Sequence, residues 1–347
     1  MKREKILEVR DLEFSFRTYG GVVKSVRNVS FDIYAGETVG IVGESGCGKS
    51  VTAQSILKLN PEPPGFFGEN SSIKFKGGEI VTKSEKEMRA IRGKDIGFIF
   101  QDPMTSLNPT MRIGQQIGEV LKGRTAGREA LSRGQIRERV LEILKMVGIT
   151  DVEKRYRQFP YELSGGMKQR VMIAIALVGN PSLIIADEPT TSLDVTIEAQ
   201  ILELLQSLQE KFHTAIIFIT HDLGVIAKLC DRVMVMYGGK IVEKGSVEDI
   251  YYQTKHPYTV GLMNSIARLD LDKSVDLKPI EGTPPDLFSP PVGCPFAVRC
   301  EHAMNICYRK LPEYFEVSDG HQCMCWLQDE RAPGVKLYTQ LMDRREG

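Results

Sequence analysis

The chain has 347 residues, of which 42% are hydrophobic and 26% charged, so it has the length and composition of about two globular domains. Its 45 basic and 45 acidic side chains balance, which argues against a dedicated nucleic-acid binder with a basic excess. No stretch approaches the roughly 20 apolar residues of a membrane-spanning helix, and no signal-peptide pattern follows the charged N-terminus. We therefore expect a cytosolic protein that reaches a membrane only by docking onto another protein.

Strand and helix patterns alternate along residues 6–243. Alternation and short apolar runs predict strands at residues 6–16, 26–33, 37–43, 96–100, 183–186, 215–220, 232–237 and 240–243. Helical periodicity predicts helices at residues 49–59, 84–92, 110–122, 134–147, 195–211 and 223–229, the second of them behind a capping box of Ser84 and Glu87. The Pro- and Gly-rich residues 60–70 predict a loop. Strands that alternate with helices favour a mostly parallel sheet.

A glycine-rich turn between a predicted strand and a predicted helix fits the phosphate-loop pattern G-x-x-x-x-G-K-[ST]. Glycines let consecutive backbone N–H groups converge on a phosphate, and the following helix adds its positive end. We expect Lys49 to reach the β- and γ-phosphates and Ser50 to bind Mg²⁺. The residues expected at the nucleotide are Gly43, Glu44, Ser45, Gly46, Cys47, Gly48, Lys49, Ser50 and Val51.

Two carboxylates complete the predicted phosphate chemistry. Asp187 follows the apolar residues 183–186, which would deliver it to the carboxyl edge of a parallel sheet, where ligands of α/β proteins bind. Asp187 suits the Mg²⁺ shell. Glu188 can polarise a water molecule for attack on the γ-phosphate.

Residues 163–167, LSGGM, resemble the signature of ABC ATPases, and they lie just upstream of the Asp187 strand, as in that family. The usual fifth residue of that signature is Gln. Here it is Met167, with Gln169 two positions later, a departure that resembles peptide-importer subunits. The resemblance implies that Ser164, Gly165 and Gly166 contact the γ-phosphate of ATP held by a partner subunit.

Further motifs follow in the order of the same family. Gln101 resembles the Q-loop glutamine that senses Mg²⁺ and the attacking water, and His221 resembles the switch histidine at the γ-phosphate. The run Ser192-Leu193-Asp194 resembles the D-loop that crosses the dimer interface. Phe16 resembles the aromatic residue that stacks on adenine, and Tyr19 is the alternative.

The resemblance implies an α/β fold of the P-loop NTPase type, an ABC-type ATPase with a RecA-like core. It places an N-terminal antiparallel β subdomain and a helical subdomain, about residues 102–175, within a nucleotide-binding domain of residues 1–255. A small Cys-rich C-terminal domain would occupy residues 256–347. Two such subunits would enclose two ATP molecules head to tail, with Mg²⁺ as cofactor.

Three segments near the C-terminus resemble the tail of oligopeptide and dipeptide importer ATPases: HPYT at residues 256–259, GTPP at 282–285, and the run from 294 to 300. The resemblance implies ATP-driven peptide import, with two membrane permeases, a second ATPase subunit and, indirectly, a peptide-binding protein as partners. The chain would then lie peripherally on the cytoplasmic face of the membrane. Residues 100–111 would dock a permease helix.

Alternative functions are compatible with parts of this pattern. The same tail occurs in relatives that import nickel or other small solutes. An ABC ATPase outside transport is less favoured, because the chain has one ATPase module, a short insertion near residues 105–160 and no net charge. A non-catalytic subunit is disfavoured by the intact Lys49, Asp187, Glu188 and His221.

Five of the seven cysteines lie between residues 294 and 325. Four of them follow the pattern C-x5-C-x6-C-x15-C, and four thiolates suit an iron–sulfur cluster or a tetrahedral zinc ion. The family resemblance favours a [4Fe–4S] cluster, with zinc and unligated thiols as alternatives. The predicted ligands are Cys294, Cys300, Cys307 and Cys323, with Cys325 as an alternative fourth ligand.

Overall fold

A computed structural model describes residues 3–122, 131–191, 194–265 and 280–337. Its strands are β1 Lys5–Thr18, β2 Gly21–Tyr34, β3 Thr38–Val42, β4 Gly65–Phe67, β5 Ser72–Phe75, β6 Gly78–Glu79, β7 Ile96–Ile99, β8 Leu183–Asp187, β9 Ala215–Ile219, β10 Arg232–Tyr237, β11 Lys240–Ser246, β12 Phe315–Ser318 and β13 His321–Cys323. Its α-helices are α1 Lys49–Ile56, α2 Glu85–Ile91, α3 Pro103–Ser106, α4 Ile113–Glu119, α5 Arg133–Met146, α6 Val152–Arg157, α7 Gly165–Leu177, α8 Val195–Phe212, α9 Leu223–Leu229, α10 Val247–Tyr252, α11 Pro257–Asn264 and α12 Asn305–Arg309. Short 3-10 helices occupy Pro160–Glu162, Ala297–Arg299 and Trp326–Gln328.

The chain divides into two compact units, each built from several segments. The first unit comprises the described residues of Met1–Leu7, Asp32–Thr38 and Phe75–Ile219. The second comprises the described residues of Glu8–Phe31, Val39–Lys74 and Thr220–Gly347. None of the described helices is long and apolar enough to cross a membrane.

The first unit combines a parallel sheet with a group of helices. Strand β8 pairs in parallel with β7 on one side and with β9 on the other, and all five residues of β8 are buried. A strand that is apolar throughout suits this central position, because both of its faces are covered. Helix α4 packs against α5, α6 and α7. The α/β class and the helical insertion that the sequence predicts are confirmed.

The second unit contains an N-terminal sheet and a second group of strands. In the N-terminal sheet β1 lies between β2 and β5, and β4 pairs antiparallel with β1. In the second group β10 runs parallel to β3 and antiparallel to β11. The predicted hairpin between β10 and β11 is confirmed, and Gly238 and Gly239 turn it with positive φ angles of 54° and 78°.

Residues 60–70 are not the continuous loop that their proline and glycine content predicts. They contain β4, in which Phe67 lies opposite Phe14 of β1, with the two ring centroids 4.9 Å apart. Packing of Phe67 against the buried Phe14 outweighs the local turn preference. The predicted capping box of Ser84 and Glu87 is present at the start of α2.

Residues 280–337, here called the tail, add two strands that the sequence pattern does not reveal. Strand β13 pairs antiparallel with β11, and β12 pairs with β13. A fully buried carboxylate anchors this addition: Glu243 accepts hydrogen bonds from the backbone N–H groups of Lys255 (2.7 Å) and His256 (3.2 Å), and it lies 2.9 Å from Nε2 of His321. Of these three partners His321 lies in the tail, so Glu243 joins the tail to β11 and to residues 255 and 256.

Candidate nucleotide site

The phosphate loop joins β3 to α1 and needs glycine at both of its ends. Gly43 has a φ of 154°, and a Cβ there would lie 2.2 Å from the carbonyl oxygen of Met236. Gly48 has a φ of 102°, and a Cβ there would lie 2.4 Å from the carbonyl oxygen of Ser25. A side chain at either position would therefore clash with neighbouring backbone, so the loop path itself depends on these glycines.

The side chains of the loop divide into exposed and buried ones. Ser45 and Gly46 are exposed at the tip, whereas Cys47 is buried. Burial raises the pKa of the Cys47 thiol, so this residue stays protonated and packs as a small side chain.

Lys49 begins α1 and is almost fully buried. Its ammonium group donates to the carbonyl oxygens of Gly43 (2.8 Å) and Glu44 (3.1 Å). The lysine therefore lies against the loop that precedes it, where it can exchange a carbonyl for a phosphate oxygen. Ser50 and Val51 follow in the first turn of α1 and are half-buried.

His221 is exposed and follows β9. The backbone N–H of Thr220, one residue earlier, donates to the carbonyl of Ile41 in β3 at 3.3 Å. Asp222 then caps α9 by accepting a hydrogen bond from the N–H of Gly224. The residue before His221 thus contacts β3, the strand that leads into the phosphate loop, and the residue after it caps α9.

In the first unit the structure brings Gln101 and Glu188 together. Asp187 ends β8 and is buried, and Ile99, the last residue of β7, lies beside Ala186. Parallel neighbours end at the same edge of a sheet, so the residues that follow β7 and β8 meet there. Nε2 of Gln101 donates to Oε2 of Glu188 at 2.9 Å.

Glu188 has an unusual backbone conformation. Its φ of 46° is in the left-handed region, which is uncommon for a residue other than glycine. The backbone is held there because the N–H of Glu188 donates to the carbonyl of Ile219 at 2.9 Å. The hydroxyl of Thr191 adds a hydrogen bond to Oε2 at 3.0 Å. Two adjacent carboxylates thereby acquire different surroundings, one buried and one half-buried.

The signature residues lie at the start of α7. Ser164 is the N-cap, and its side chain accepts a hydrogen bond from the N–H of Met167. Ser164 and Gly165 are exposed, and a Cβ at Gly165 would meet no atom within 4 Å. The start of this 13-residue helix, where helix amides lack partners in the preceding turn, is therefore exposed.

Two residues after the signature connect it to the neighbouring motifs, and the sequence pattern assigns them no role. The side-chain amide of Gln169 donates to the carbonyl of Pro189, one residue after Glu188. The ammonium group of Lys168 lies 3.1 Å from Sδ of Met104 in α3. Burial of both side chains is the structural feature that marks them, and hydrophobic periodicity does not predict burial of a Lys and a Gln.

The remaining predicted contacts are less closely grouped. Asp194 is the N-cap of α8, where it accepts from the N–H of Ile197 at 3.0 Å, while Ser192 and Leu193 lie outside the described residues. Phe16 is half-buried, with its ring centroid 5.2 Å from that of Phe14. Tyr19 is fully exposed.

The tail cysteines do not form a ready-made metal site. Across the described ranges, no three His, Cys, Asp or Glu side chains are arranged to hold a metal ion. Burial raises the pKa of Cys294 to about 12 and that of Cys300 to about 11. The thiol of Cys323 donates a hydrogen bond to Cys325, which lowers the pKa of Cys325. The predicted iron–sulfur centre therefore gains no support from this arrangement.

Comparison with known proteins identifies the family. Residues 26–191 match the family described as ABC transporter, and residues 242–307 match the family described as the C-terminal region of oligopeptide/dipeptide transporters. The oligopeptide transport ATP-binding protein OppD of Bacillus subtilis is 55% identical over 96% of this chain and 91% of its own length. The chain belongs to the ATP-binding subunits of oligopeptide and dipeptide ABC importers.

Other members of this importer family are similar over nearly their whole length. The dipeptide transport ATP-binding protein DppD of Bacillus subtilis is 55% identical over 98% of this chain and 100% of its own length. OppD of Escherichia coli is 46% identical over 93% of each chain.

Among solved structures, the dimeric ATP-binding cassette MJ0796 bound to ADP and Pi is 28% identical, with a TM-score of 0.61, over 70% of this chain and 99% of that one. The predicted ABC-type ATPase fold is thereby confirmed.

Proposed function

We propose that this ABC ATPase hydrolyses ATP to power the import of di- and oligopeptides. The observation that carries the proposal is the Gln101–Glu188 hydrogen bond of 2.9 Å, at the sheet edge where Asp187 ends β8. It supports a half-buried carboxylate held in position to accept a proton from water. The relatives named above are peptide transport ATP-binding proteins, which supports peptides as the cargo.

The residues proposed to hold Mg²⁺ have the right donor chemistry. Ser50, Gln101 and Asp187 offer a hydroxyl, an amide and a carboxylate oxygen, and hard oxygen donors suit Mg²⁺. When bound with ATP, the ion would neutralise charge on the phosphates.

The protein's own side chains would then perform distinct tasks during hydrolysis. Lys49 and the loop amides would stabilise negative charge on the transferred phosphoryl group. Glu188 would orient the attacking water and accept its proton, and His221 would contact the γ-phosphate. Phe16, with Tyr19 as the alternative, would stack on adenine.

A second ATPase subunit, of the same or a related chain, is the proposed partner at the nucleotide. The exposed Ser164 and Gly165 at the start of α7 support binding of ATP held by that subunit, with Gly166 behind them and Asp194 at the interface. The domain limits proposed for this assembly are residues 1–255 for the nucleotide-binding domain and 256–347 for the C-terminal domain.

The proposed docking site for two membrane permeases is residues 100–111. Phe100 is 40% exposed and Met104 is 63% exposed, and Asp102 caps the short helix α3, which contains Met104. Exposed apolar side chains on a capped helical turn suit a contact with a partner helix. The chain would thus act on the cytoplasmic face of the membrane, with a peptide-binding protein as an indirect partner and no nucleic acid.

Peptide uptake by cells tests this function. A strain lacking this chain should lose uptake of a labelled tripeptide, the wild-type chain should restore it, and Glu188→Gln should not. Uptake that Glu188→Gln restores fully would contradict the proposed role of ATP hydrolysis. Normal tripeptide uptake in the deletion strain, together with lost nickel uptake, would favour the related importers of nickel.

For the tail cysteines we retain the [4Fe–4S] cluster as a proposal, with zinc as the alternative metal. The pKa values of Cys294, Cys300 and Cys307, raised first by burial, are raised further by Cys325. Cys323 and Cys325, which share a hydrogen bond, remain the alternative fourth ligands. Protein purified without oxygen should be brown and contain iron. Colourless protein with stoichiometric zinc, or with no metal, would contradict the cluster.

A further inference from the structure

Glu44, the second residue of the phosphate loop, forms an ion pair with Arg299 of the tail. The guanidinium group of Arg299 makes two parallel contacts with the carboxylate of Glu44: Nη1 to Oε2 at 2.6 Å and Nη2 to Oε1 at 3.0 Å. The two residues are 255 positions apart in the chain. A bidentate pair of this kind fixes direction as well as charge.

Arg299 is itself held rigidly in place. Its side chain is 4% exposed. Its Nε donates to the carbonyl of Glu281 at 2.8 Å, its Nη2 to the carbonyl of Ile280 at 2.9 Å and its Nη1 to the hydroxyl of Tyr237 at 3.1 Å. The guanidinium group therefore presents two N–H donors to Glu44 in a fixed orientation. The Arg299 side chain loses little rotamer freedom when it binds the loop, because its other contacts already hold it.

A second contact fixes the backbone of the same residue. The N–H of Glu44 donates to the hydroxyl of Tyr258 at 2.9 Å, and Tyr258 is fully buried in α11. The ring of Tyr258 lies 4.4 Å from that of Tyr237 and 5.4 Å from that of Phe296, measured between centroids. The hydroxyl is thus carried by a packed aromatic cluster that cannot shift freely.

These contacts affect the residues expected to bind phosphate. The carbonyl of Glu44 also accepts from Lys49, so the side chain, N–H and carbonyl of Glu44 are all engaged. Without Arg299, an unpaired carboxylate would stand in the phosphate loop and would repel the negative charges of ATP. A loop free to move would also have to be ordered when ATP binds.

We propose that Arg299 is a positioning residue for the phosphate loop. It neutralises Glu44 and, together with Tyr258, holds the loop in the conformation that binds ATP. It acts through Glu44 and touches no phosphate. This inference rests on the proposed function in one respect, that residues 43–50 bind ATP.

The test measures ATP affinity and steady-state hydrolysis in the full-length chain. Arg299→Ala should raise the Kd and the KM for Mg-ATP by roughly tenfold, because about 1.4 kcal/mol of charge-assisted hydrogen bonding is lost from the loop. The kcat at saturating ATP should change by less than about twofold, because the contact is the same before and during hydrolysis. Arg331→Ala, which removes an exposed arginine paired with Asp329, is the matched control and should change neither constant.

A double variant separates positioning from general loss of structure. Glu44→Gln removes the carboxylate that Arg299 neutralises, so Arg299→Ala combined with Glu44→Gln should bind ATP more tightly than Arg299→Ala alone. A merely structural arginine would give no such rescue. Tyr258→Phe should raise the Kd by a smaller factor, about threefold, since one neutral hydrogen bond is lost.

A folded Arg299→Ala with wild-type Kd overturns the proposal, and so does a double variant no better than Arg299→Ala. If Arg299→Ala does not fold, Arg299→Lys carries the test, because it keeps the charge and loses the fork: a raised Kd supports the proposal and an unchanged one overturns it. Failure of the wild-type chain to bind ATP would instead overturn the proposed function.

Discussion

Two glutamates in this protein are used in opposite ways. Glu188, at the edge of β8, is half-buried, has a strained backbone and accepts hydrogen bonds from Gln101 and Thr191. Glu243, in β11, is fully buried and receives two backbone N–H groups while it lies against His321. The first carboxylate is oriented yet accessible, as chemistry on a bound ligand requires, whereas the second is enclosed and joins distant segments.

The contrast predicts that removing one carboxylate affects turnover and removing the other affects stability. Strain held by surrounding contacts is typical of residues that act on ligands. Fully satisfied buried charges are typical of structural networks, in which the loss of one member leaves its partners unpaired.

The largest expected effect comes from Glu188→Gln. The amide keeps the shape of the side chain and its contacts but cannot accept a proton from water, so ATP turnover should fall by about 10²- to 10⁴-fold. ATP binding and the melting temperature should stay close to wild type. Glu203→Gln, an exposed position on α8, is the control and should retain full activity. Wild-type turnover in Glu188→Gln would remove this residue from the mechanism.

Lys49→Ala, in the phosphate loop, should likewise affect turnover more than stability. Its ammonium group is proposed to stabilise charge on the transferred phosphoryl group, so turnover should fall by about 10²- to 10³-fold. Phosphate release assays measure this directly. Lys74→Ala, which removes an exposed lysine from β5, should have no such effect. Unchanged turnover in Lys49→Ala would contradict the phosphate-loop assignment.

Glu243→Ala tests the other side of the contrast. It would leave the N–H groups of Lys255 and His256 and the ring of His321 without their partner, so the free energy of unfolding should fall by about 3–5 kcal/mol. Denaturant unfolding measures the change, and Glu330→Ala, an exposed tail residue, is the control. Turnover per folded molecule should be nearly unchanged at a temperature where the variant is folded. An unchanged stability would show that the network does not hold the tail.

The smallest effect concerns pH and His256, whose backbone N–H binds Glu243. Burial lowers the pKa of His256 from 6.5 to about 3 in the folded protein. Between these two values the unfolded chain binds a proton that the folded chain does not, so stability is lost as pH falls below about 6.5, by up to about 1.4 kcal/mol per pH unit.

His256→Asn should remove this dependence on pH. Its side-chain oxygen can still accept from the N–H of Tyr258, as Nδ1 of His256 does at 3.1 Å. The difference in unfolding free energy between wild type and variant, measured at pH 7.5 and pH 5.5, isolates this contribution. An equal pH slope in both proteins would contradict the buried, neutral state of His256.

Most of the parallel strands could be predicted from the sequence, because β8 and β9 are short apolar runs bounded by polar residues. The added strands β12 and β13 could not, because they are short and owe their pairing to β11. The strand at residues 65–67 could not be predicted, because the prolines before it indicate a loop and its conformation depends on aromatic pairing with β1.

In the candidate site, each motif contains its functional groups within a few consecutive residues. The phosphate loop needs glycines, a lysine and a hydroxyl in one short run, and LSGGM places a hydroxyl and bare amides at a helix start. These features could therefore be predicted. The contact of Gln169 with Pro189 could not, since nothing in the local pattern distinguishes a buried glutamine from an exposed one.

The sequence by itself determined that this chain is an ABC ATPase of the peptide-importer family, because contiguous motifs bring their functional groups together within a few residues. Only the tertiary structure decided how Glu188 is oriented, how Glu243 joins the tail to β11 and how Arg299 reaches Glu44 across 255 positions. Such contacts depend on where separate segments meet in space, and their strength comes from burial and geometry that no single segment contains.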